Sequence, residues 1–344
     1  MVCLVSPESR VPSNHPLRAI RRLADEALEA LSSDFDAMYA ESGRPSVPPE
    51  RLLKASLLIA LYSVRSERQF CEQLEYNLLF RWFLDMNMME PAFDATTFSK
   101  NRERLMDHDV AAAFFFAIRQ QASDLMSREH FSVDGTLLEA WASMKSFRPK
   151  DDDDNDNNGW GDFRGQRRKN DTHESKTDPE ARLFRKGRGQ EAKLCYAGHA
   201  LMENRHGLLI DLRISEANGY AERETAIEML LRHVESQATV GADRAYDTRD
   251  FVARCRAAGA TPHVAQNEHV RRSSAIDRRT TRHPGYQISQ RLRMRIEAIF
   301  GWLKSVGGLR RTRYRGRRKT QFAAYLAGAA YNLLRISRLR RCAV

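Results

Sequence analysis

The chain has 344 residues, of which 42% are hydrophobic and 29% are charged, and its formal net charge is +11 at pH 7. This composition predicts a soluble globular protein, and the length allows two domains or one large one. The longest apolar stretches, such as residues 111–118, are far too short to span a bilayer, which excludes a membrane-spanning class.

The positive charge is concentrated in the last quarter of the chain. From residue 271 onward, twenty Lys and Arg stand against two acids, a net of +18, so the first 270 residues carry −7. Such asymmetry indicates a polyanionic partner, most often nucleic acid. The alternative is a membrane-surface segment, but the arginine-rich run 310–318 has no apolar stripe beside it.

The five cysteines are scattered along the chain and include no CxxC pair. Neither a disulfide framework nor a zinc module fits this spacing, and free thiols indicate a reducing compartment. Residues 1–10 lack a cationic region followed by an apolar core, so no export signal is predicted. The sequence therefore predicts a cytoplasmic protein.

The first third of the chain has the apolar spacing of helices. Leucine, isoleucine and alanine recur at helical intervals from residue 15 onward, and Pro48-Pro49 opens a further helix, as proline does in a first turn. Start signals predict further helices over residues 67–75, 95–106 and 109–126. We therefore predict an all-helical N-terminal domain over residues 1–127.

From residue 128 the pattern changes to alternating strands and helices. A short apolar run predicts a strand over residues 130–134, and the alternation that begins at Lys193 predicts a hairpin with its turn near residues 204–207. The predicted elements that follow are a helix around Ala226, a strand over 239–242, a helix from 248 to 258, a strand over 262–265, and helices over 286–305 and 320–338. An α/β domain over residues 128–340 is expected, with a basic C-terminal segment at 306–344.

Residues 149–190 interrupt this alternation. The acidic, Asn-rich run Asp151–Asn158 is interpreted as part of a mobile connection, with a metal site as the alternative, because like charges repel and nothing there forms a core. Asp178 is a competing candidate acid in this stretch. It precedes Pro179, which favours a turn, and no strand leads into it, so it ranks below Asp134.

Three acids are the candidates for chemistry. Asp134 and Asp243 each follow a short apolar run, and Glu297 lies on a helix whose neighbours are rich in Arg and Lys. Carboxylates among cations indicate a divalent metal and a phosphate substrate, because Mg²⁺ prefers hard oxygen ligands and shares its shell with phosphates. Two-metal phosphoryl transfer needs carboxylates that converge from different elements. We therefore predict that these three acids are catalytic and bind metal; the alternative is three unrelated acids.

The helix that carries Glu297 also presents cations. At about 100° per residue, Arg293 and Lys304 fall on the same face as Glu297. Neither cation can bind Mg²⁺, so we expect both to hold DNA phosphates beside the metal. The alternative is a solvated face with an i,i+4 pair between Arg293 and Glu297. In the basic segment, the candidate DNA-binding residues are Arg310, Arg311 and Arg313.

These residues lie in motifs that resemble the DDE transposases of bacterial insertion sequences, particularly the IS-five-type group with a helical N-terminal domain. The motifs are VDGT at 133–136, GADRAYD at 241–247, and Arg-x3-Glu-x6-Lys over 293–304, together with KSF at 145–147, SKTDPEA at 175–181 and the N-terminal segment 48–105. The similarity covers roughly residues 45–335. The family signature has a Tyr three positions before the Arg, where this chain has Gln290.

The resemblance implies a fold and a reaction. The fold is an RNase H-like mixed five-stranded sheet flanked by helices, in which Asp134, Asp243 and Glu297 bind two Mg²⁺ (or Mn²⁺). A metal-activated water would cut at the transposon end, and the released 3′-hydroxyl would join target DNA. Fifty-four residues separate Asp243 from Glu297, which leaves no room for the large insertion domain of some relatives.

The expected partners are DNA with terminal inverted repeats, target DNA, and further copies of the chain, as a homodimer or higher assembly on DNA. The expected location is the bacterial cytoplasm, at the nucleoid. Two alternatives are left open. One is a stand-alone metal-dependent nuclease on the same scaffold, which cuts but does not join. The other is a non-mobile DNA-binding derivative, which does neither.

Overall fold

The structure is a computed structural model. The residues that it describes are 6–38, 47–150, 168–185, 187, 189–235, 237–267 and 273–342. The acidic run at residues 151–158, which we interpret as a mobile connection, lies outside the described residues.

The N-terminal region is helical, as predicted. Its helices are α1 (Pro7–Arg10), α2 (Pro16–Glu29), α3 (Ser32–Met38), α4 (Pro49–Leu61), α5 (Glu67–Tyr76), α6 (Leu78–Phe83), α7 (Thr96–Asp107) and α8 (Val110–Gln121). The local chemistry explains their starts: α2 and α4 have proline in the first turn, and the Ser66 hydroxyl accepts the Gln69 N–H at 3.1 Å to cap α5.

The second region alternates strands and helices. The strands are β1 (His130–Glu139), β2 (Phe147–Pro149), β3 (His173–Ser175), β4 (Arg182–Phe184), β5 (Lys193–Glu203), β6 (Leu209–Glu216), β7 (Thr239–Ala242) and β8 (Thr261–Val264). The helices are α9 (Ala221–His233), α10 (Arg249–Ala257), α11 (Arg278–Arg282), α12 (Pro284–Leu292), α13 (Arg295–Ser305) and α14 (Arg317–Cys342). The predicted hairpin is therefore β5–β6. The described part of the predicted connection, residues 168–185, contains two short strands.

The main sheet has six strands in five positions. Its order is β4/β6–β5–β1–β7–β8, because β4 pairs with the first residues of β5 and β6 pairs with the rest. Strand β5 is antiparallel to β1 and to β6, whereas β1, β7 and β8 are mutually parallel. This order and these directions are those of an RNase H-like sheet, so the predicted fold class is confirmed.

Each face of the sheet packs on a separate core. On one face, the N-terminal helices, α13 and α14 share a continuous core with sheet residues such as Leu138 and Leu212. On the other face, α9 and α10 pack on Val133 and Val240. Because side chains alternate along a strand, odd-numbered residues of β1 face α9, and even-numbered residues face α13.

Helix α14 covers the open edge of β6. The Asn332 side-chain amide accepts the Leu209 N–H at 3.0 Å and donates to the Leu209 carbonyl at 2.9 Å. Farther along β6, the Gln321 side-chain amide accepts the Ile214 N–H at 2.7 Å and donates to the Leu212 carbonyl at 2.8 Å. The edge is therefore satisfied by side chains and is not left as a template for pairing with another chain. None of the helices in the described ranges is both long enough and apolar enough to cross a membrane.

A buried chain of polar groups links α12 to the sheet. The Ser289 hydroxyl lies 2.6 Å from His263 Nδ1 and 2.7 Å from His130 Nε2. Burial lowers the pKa of His263 to about 4, with His130 and His283 adding to the effect. Burial likewise lowers the pKa of His199 to about 4, where the ring contacts the Ser215 hydroxyl.

These histidines predict a loss of stability in mild acid. The folded state binds fewer protons than the unfolded state between about pH 6.5 and pH 4, so the free energy of unfolding decreases as the pH falls through that window. We expect a decrease of about 1 kcal/mol per pH unit for each of the two histidines. Urea unfolding at a series of pH values measures the slope, and His199→Asn should reduce it; an unchanged slope would contradict the assignment to His199.

Candidate active site

Asp134 lies inside β1, and not at the end of a strand as the sequence predicted. Strand β1 continues to Glu139 because β5 pairs with it along residues 131–139. On its other edge, β7 pairs only with residues 130–132. Asp134 therefore lies just beyond the point where β1 separates from its parallel neighbour.

Asp243 directly follows β7, as predicted, and lies level with Asp134. Ser132 is the register partner of Gly241 and the pairing ends there, so each aspartate lies two residues beyond the same last pair of residues. The Asp243 carboxylate is close enough to raise the pKa of Asp134. Asp243 has extended backbone angles and accepts the Ala245 N–H at 2.7 Å, which caps the short turn at residues 244–246. The two acids thus meet at one point of the sheet.

Both aspartates are on the face that α12 and α13 cover. A Cβ on Gly241 would lie 3.2 Å from Ser132 Oγ and 3.3 Å from Arg293 Cβ, which shows that Gly241 faces the end of α12. Alternation gives Asp243 the same direction as Gly241. Thr136, two residues after Asp134, accepts a hydrogen bond from Lys304 Nζ at 2.6 Å. The aspartates therefore face the helix that carries Glu297.

The site disfavours negative charge in the absence of a cation. Burial raises the pKa of Asp134 to about 7, and the neighbouring carboxylates of Asp243 and Glu222 add to the shift. The Gly135 N–H, which donates to Asp134 Oδ1 at 2.8 Å, and the Arg293 guanidinium oppose it. A cation that binds here would relieve both the burial of charge and the repulsion.

Glu297 is exposed on α13, whose buried side anchors the helix through Ile296, Ile299 and Leu303. Among the residues with described positions, no three Asp, Glu, His or Cys side chains form a ready metal-binding group. The convergence of Asp134, Asp243 and Glu297 on one site therefore stays a prediction.

The helix predicted over residues 286–305 is two helices, and the prediction of one regular helix is wrong. Between α12 and α13, the Ile296 N–H bonds to the Arg293 carbonyl at 3.1 Å, and the Glu297 N–H bonds to the Met294 carbonyl at 3.2 Å. These i→i−3 bonds form a tighter turn than an α-helix, so the angular offset between Arg293 and Glu297 differs from the regular 100° spacing.

Arg293 bonds to Gln290, and not to Glu297 as in the alternative of a solvated face with an i,i+4 pair. Its Nε donates to Gln290 Oε1 at 3.1 Å, and Gln290 Nε2 donates to the His263 carbonyl at 2.5 Å. The residue that stands where the family has Tyr therefore ties α12 to β8 and orients the arginine. Arg293 is still close enough to Asp134 to lower the pKa of that carboxyl.

The basic segment after α13 is joined to the last residue of β1 by an isolated parallel bridge. The Glu139 N–H donates to the Arg310 carbonyl at 3.1 Å, and the Thr312 N–H donates to the Glu139 carbonyl at 2.7 Å. The Arg311 guanidinium donates to the Trp141 carbonyl at 2.9 Å and lies over the Trp141 ring. Arg310, Arg311 and Arg313 are all exposed, but Arg311 also serves to hold this segment in place.

Asp178 has a structural role in the fold. It is buried, accepts a hydrogen bond from the Tyr196 hydroxyl at 2.6 Å and accepts another from the Gly316 N–H at 3.2 Å.

Two residues at the site were not found from the sequence. Glu222, in the first turn of α9, and Tyr246, in the turn after Asp243, lie against the two aspartates. The only sequence signal for Glu222 was the acidic first turn of a helix, which is a common one. Tyr246 lies within the GADRAYD motif, but no role was predicted for it.

Two family models match the chain. Residues 5–104 match the model described as transposase domain (DUF772), and residues 155–333 match the model described as transposase DDE domain. The chain belongs to the DDE transposases. The second match includes Asp243 and Glu297 and begins after Asp134. DDE transposases are polynucleotidyl transferases that use divalent metal ions. The two models together indicate a transposase of an insertion sequence, and the IS-five-type subgroup stays a prediction.

The chain is also similar to solved transposase structures, at low sequence identity and low TM-score. The piggyBac transposase synaptic complex with hairpin DNA is 11% identical with a TM-score of 0.43, over 95% of this chain and 76% of that one. The Mos1 transposase paired-end complex with the left transposon end is 12% identical with a TM-score of 0.21, over 90% and 85%. No curated protein matches the chain.

Proposed function

We propose that this transposase binds the terminal inverted repeats of its element, cuts at the element ends and joins the 3′-hydroxyl to target DNA. The observation that carries the proposal is the placement of Asp134 and Asp243. Asp134 in β1 and Asp243 directly after β7 both lie two residues beyond the last pair of these parallel strands, on the side of the sheet that α13 covers. Rigid scaffold holds each aspartate, as positioned chemistry requires.

The donor set fits a hard divalent cation. Carboxylate oxygens are the ligands that Mg²⁺ and Mn²⁺ prefer, and the raised pKa of Asp134 indicates a place where a cation is stabilising. Asp134 and Asp243 would hold the ion, with Glu297 completing the set from α13. When bound, such an ion supplies Lewis-acid stabilisation of charge on phosphate oxygens.

The surrounding residues have separate roles in this proposal. Arg293 and Lys304 have only donors, so they serve DNA phosphates and not the metal. Arg310 and Arg313 extend the same positive surface. The helical region 1–127 recognises the inverted repeats and contributes to assembly as a homodimer or larger complex on DNA. The DNA substrate places the protein at the bacterial nucleoid.

A strand-transfer assay tests the proposed function. The substrate is a duplex with the inverted repeat from DNA that flanks the gene, ending in a free 3′-hydroxyl, and the target is a supercoiled plasmid. With Mg²⁺ we expect covalent joining of the oligonucleotide to the plasmid. Cleavage without joining would indicate the stand-alone nuclease, and DNA binding with neither reaction would indicate the non-mobile derivative.

The exposed arginines predict a steep dependence of DNA affinity on salt. Each neutralised phosphate contributes about −0.9 to the slope of log affinity against log salt. Arg310→Ala with Arg313→Ala should therefore flatten the slope by about 1 to 2. Arg311 is left intact because its guanidinium holds the backbone near Trp141. Filter binding from low to high salt measures the slope.

The matched control for the salt experiment is Arg128→Ala, which removes an exposed arginine from the start of the α/β region, where it pairs with Glu235. This control should leave the slope as it is in the wild type. If the double variant also has the wild-type slope, Arg310 and Arg313 face solvent in the complex and the proposed phosphate contacts are wrong.

A further inference from the structure

Glu222 lies against the backbone of the residue that follows Asp134. A Cβ on Gly135 would lie 2.6 Å from Glu222 Oε1 and 2.9 Å from Glu222 Cδ, closer than side chains ever pack. Gly135 faces α9, whereas Asp134 faces α13. The glycine therefore lets an acid from the opposite side of the sheet reach the strand next to the catalytic aspartate.

Glu222 also contacts the turn that follows Asp243. The Tyr246 hydroxyl donates to Glu222 Oε1 at 3.3 Å, and Tyr246 is only 1% exposed. Burial raises the pKa of Tyr246 well above its ordinary value, with the carboxylates of Glu222, Asp134 and Asp243 adding to the shift. One buried hydroxyl is thus close to all three acids and bonded to Glu222.

The residue after Glu222 fixes α9 to the same turn. Arg223 donates to the Ala245 carbonyl at 3.3 Å and to the Gly219 carbonyl at 3.1 Å. Asn218 Oδ1 accepts the N–H groups of Tyr220 and Ala221 at 2.9 and 2.6 Å, which orders the entry to the helix. The start of α9 is therefore tied to the turn that follows Asp243, and the Glu222 side chain lies beside Gly135 of β1.

We propose that Glu222 is a positioning residue: its carboxylate spans Gly135 after Asp134 and Tyr246 after Asp243, and so sets the spacing at which the two aspartates bind a cation. This inference rests on the proposed function. Groups that orient metal ligands without touching the metal typically affect affinity 10–100-fold. Glu222 acts on the ion through the two aspartates and not as a ligand of its own.

The test is Mn²⁺ binding to the full chain without DNA, measured by calorimetry. Glu222→Ala should weaken Mn²⁺ binding by about 10–100-fold. Glu222→Gln keeps the acceptor for Tyr246 and should recover most of the affinity. Glu224→Gln is the matched control, because Glu224 pairs with Arg254 on the surface of α9; it should bind Mn²⁺ like the wild type. Wild-type affinity in Glu222→Ala would overturn the proposal.

A double-mutant cycle separates positioning from direct ligation. Tyr246→Phe removes only the hydroxyl, so it should weaken Mn²⁺ binding and add little further loss to Glu222→Ala. Gly135→Ala should likewise weaken binding in the wild type and add little to Glu222→Ala, because the clash is then absent. If Glu222→Gln loses as much affinity as Glu222→Ala and Tyr246→Phe has no effect, the carboxylate acts by its charge and positioning is wrong.

The same measurements distinguish this inference from the proposed function. If Asp243→Asn loses Mn²⁺ binding while Glu222→Ala and Tyr246→Phe bind like the wild type, only the positioning role fails. If the wild type binds no Mn²⁺, the metal site and the positioning role fail together. Should Glu222→Ala not fold, Tyr246→Phe carries the test alone, and unchanged Mn²⁺ affinity in that variant would overturn the proposal.

Discussion

Asp243→Asn should abolish cleavage at the transposon end while leaving binding of end DNA intact. Asp243 lies directly after β7 and level with Asp134, so its carboxylate is half of the pair that we assign to the cation. Mutation of a residue that only hydrogen-bonds to a metal ligand typically lowers metal affinity or activity by about 10–100-fold. Loss of a ligand itself should therefore reduce the cleavage rate by more than about 100-fold. A gel assay of end cleavage and a mobility-shift assay in EDTA measure the two effects.

The matched control is Asp250→Asn, which makes the same chemical change in the first turn of α10, on an exposed side chain beside Arg254. It should cleave like the wild type. Asp134→Asn should behave like Asp243→Asn. An Asp243→Asn variant that still cleaves the end in Mg²⁺ would show that this aspartate is not a ligand, and the proposed site would be wrong.

Local sequence patterns were sufficient to place Asp243 correctly. The apolar run Thr239–Ala242 predicted a strand, and the acid that follows it comes where β7 ends. The hairpin β5–β6 and the helix α9 were also visible as alternation followed by helical spacing. Each of these features follows from the spacing of apolar residues within a short segment, and that spacing can be read from a single sequence.

The length of β1 was not visible, because the dipeptide Asp134-Gly135 after an apolar run is typical of a turn. The strand continues because β5 pairs with it through Glu139, more than fifty residues apart in sequence. Long-range pairing overrides the local signal here. The prediction placed Asp134 at the end of a strand, whereas the structure places it within β1. The pairing of β1 with β7 nevertheless ends at Ser132, just before Asp134.

The break between α12 and α13 has no proline or glycine to mark it. Arg293 and Met294 both have helical backbone angles, and only the hydrogen-bond pattern changes. Glu222 was missed for a related reason: its contacts with Gly135 and Tyr246 join distant parts of the chain. Nothing in the local sequence distinguishes it from the acids that commonly begin helices.

Glu297→Gln and Lys304→Ala should separate the two functions of α13. Glu297→Gln should reduce cleavage by more than about 100-fold, as loss of a metal ligand does, and bind end DNA like the wild type. Lys304→Ala should keep its Mn²⁺ affinity and weaken end-DNA binding by about tenfold or more, because a hydrogen bond to a charged group contributes about 1.5–3 kcal/mol. Calorimetry with Mn²⁺ and mobility shifts with end DNA measure both variants.

Lys304 has a second role that this comparison must separate, because its Nζ donates to Thr136 Oγ1 at 2.6 Å and so ties α13 to β1. Thr136→Val removes that hydroxyl at nearly constant volume and keeps the Lys304 ammonium itself. If Lys304 binds a phosphate, Thr136→Val keeps most of the DNA affinity that Lys304→Ala loses. If the two variants lose equal affinity, the lysine acts by anchoring the helix. If Lys304→Ala binds and cuts like the wild type, this face of α13 is ordinary solvated surface and the phosphate contact is wrong.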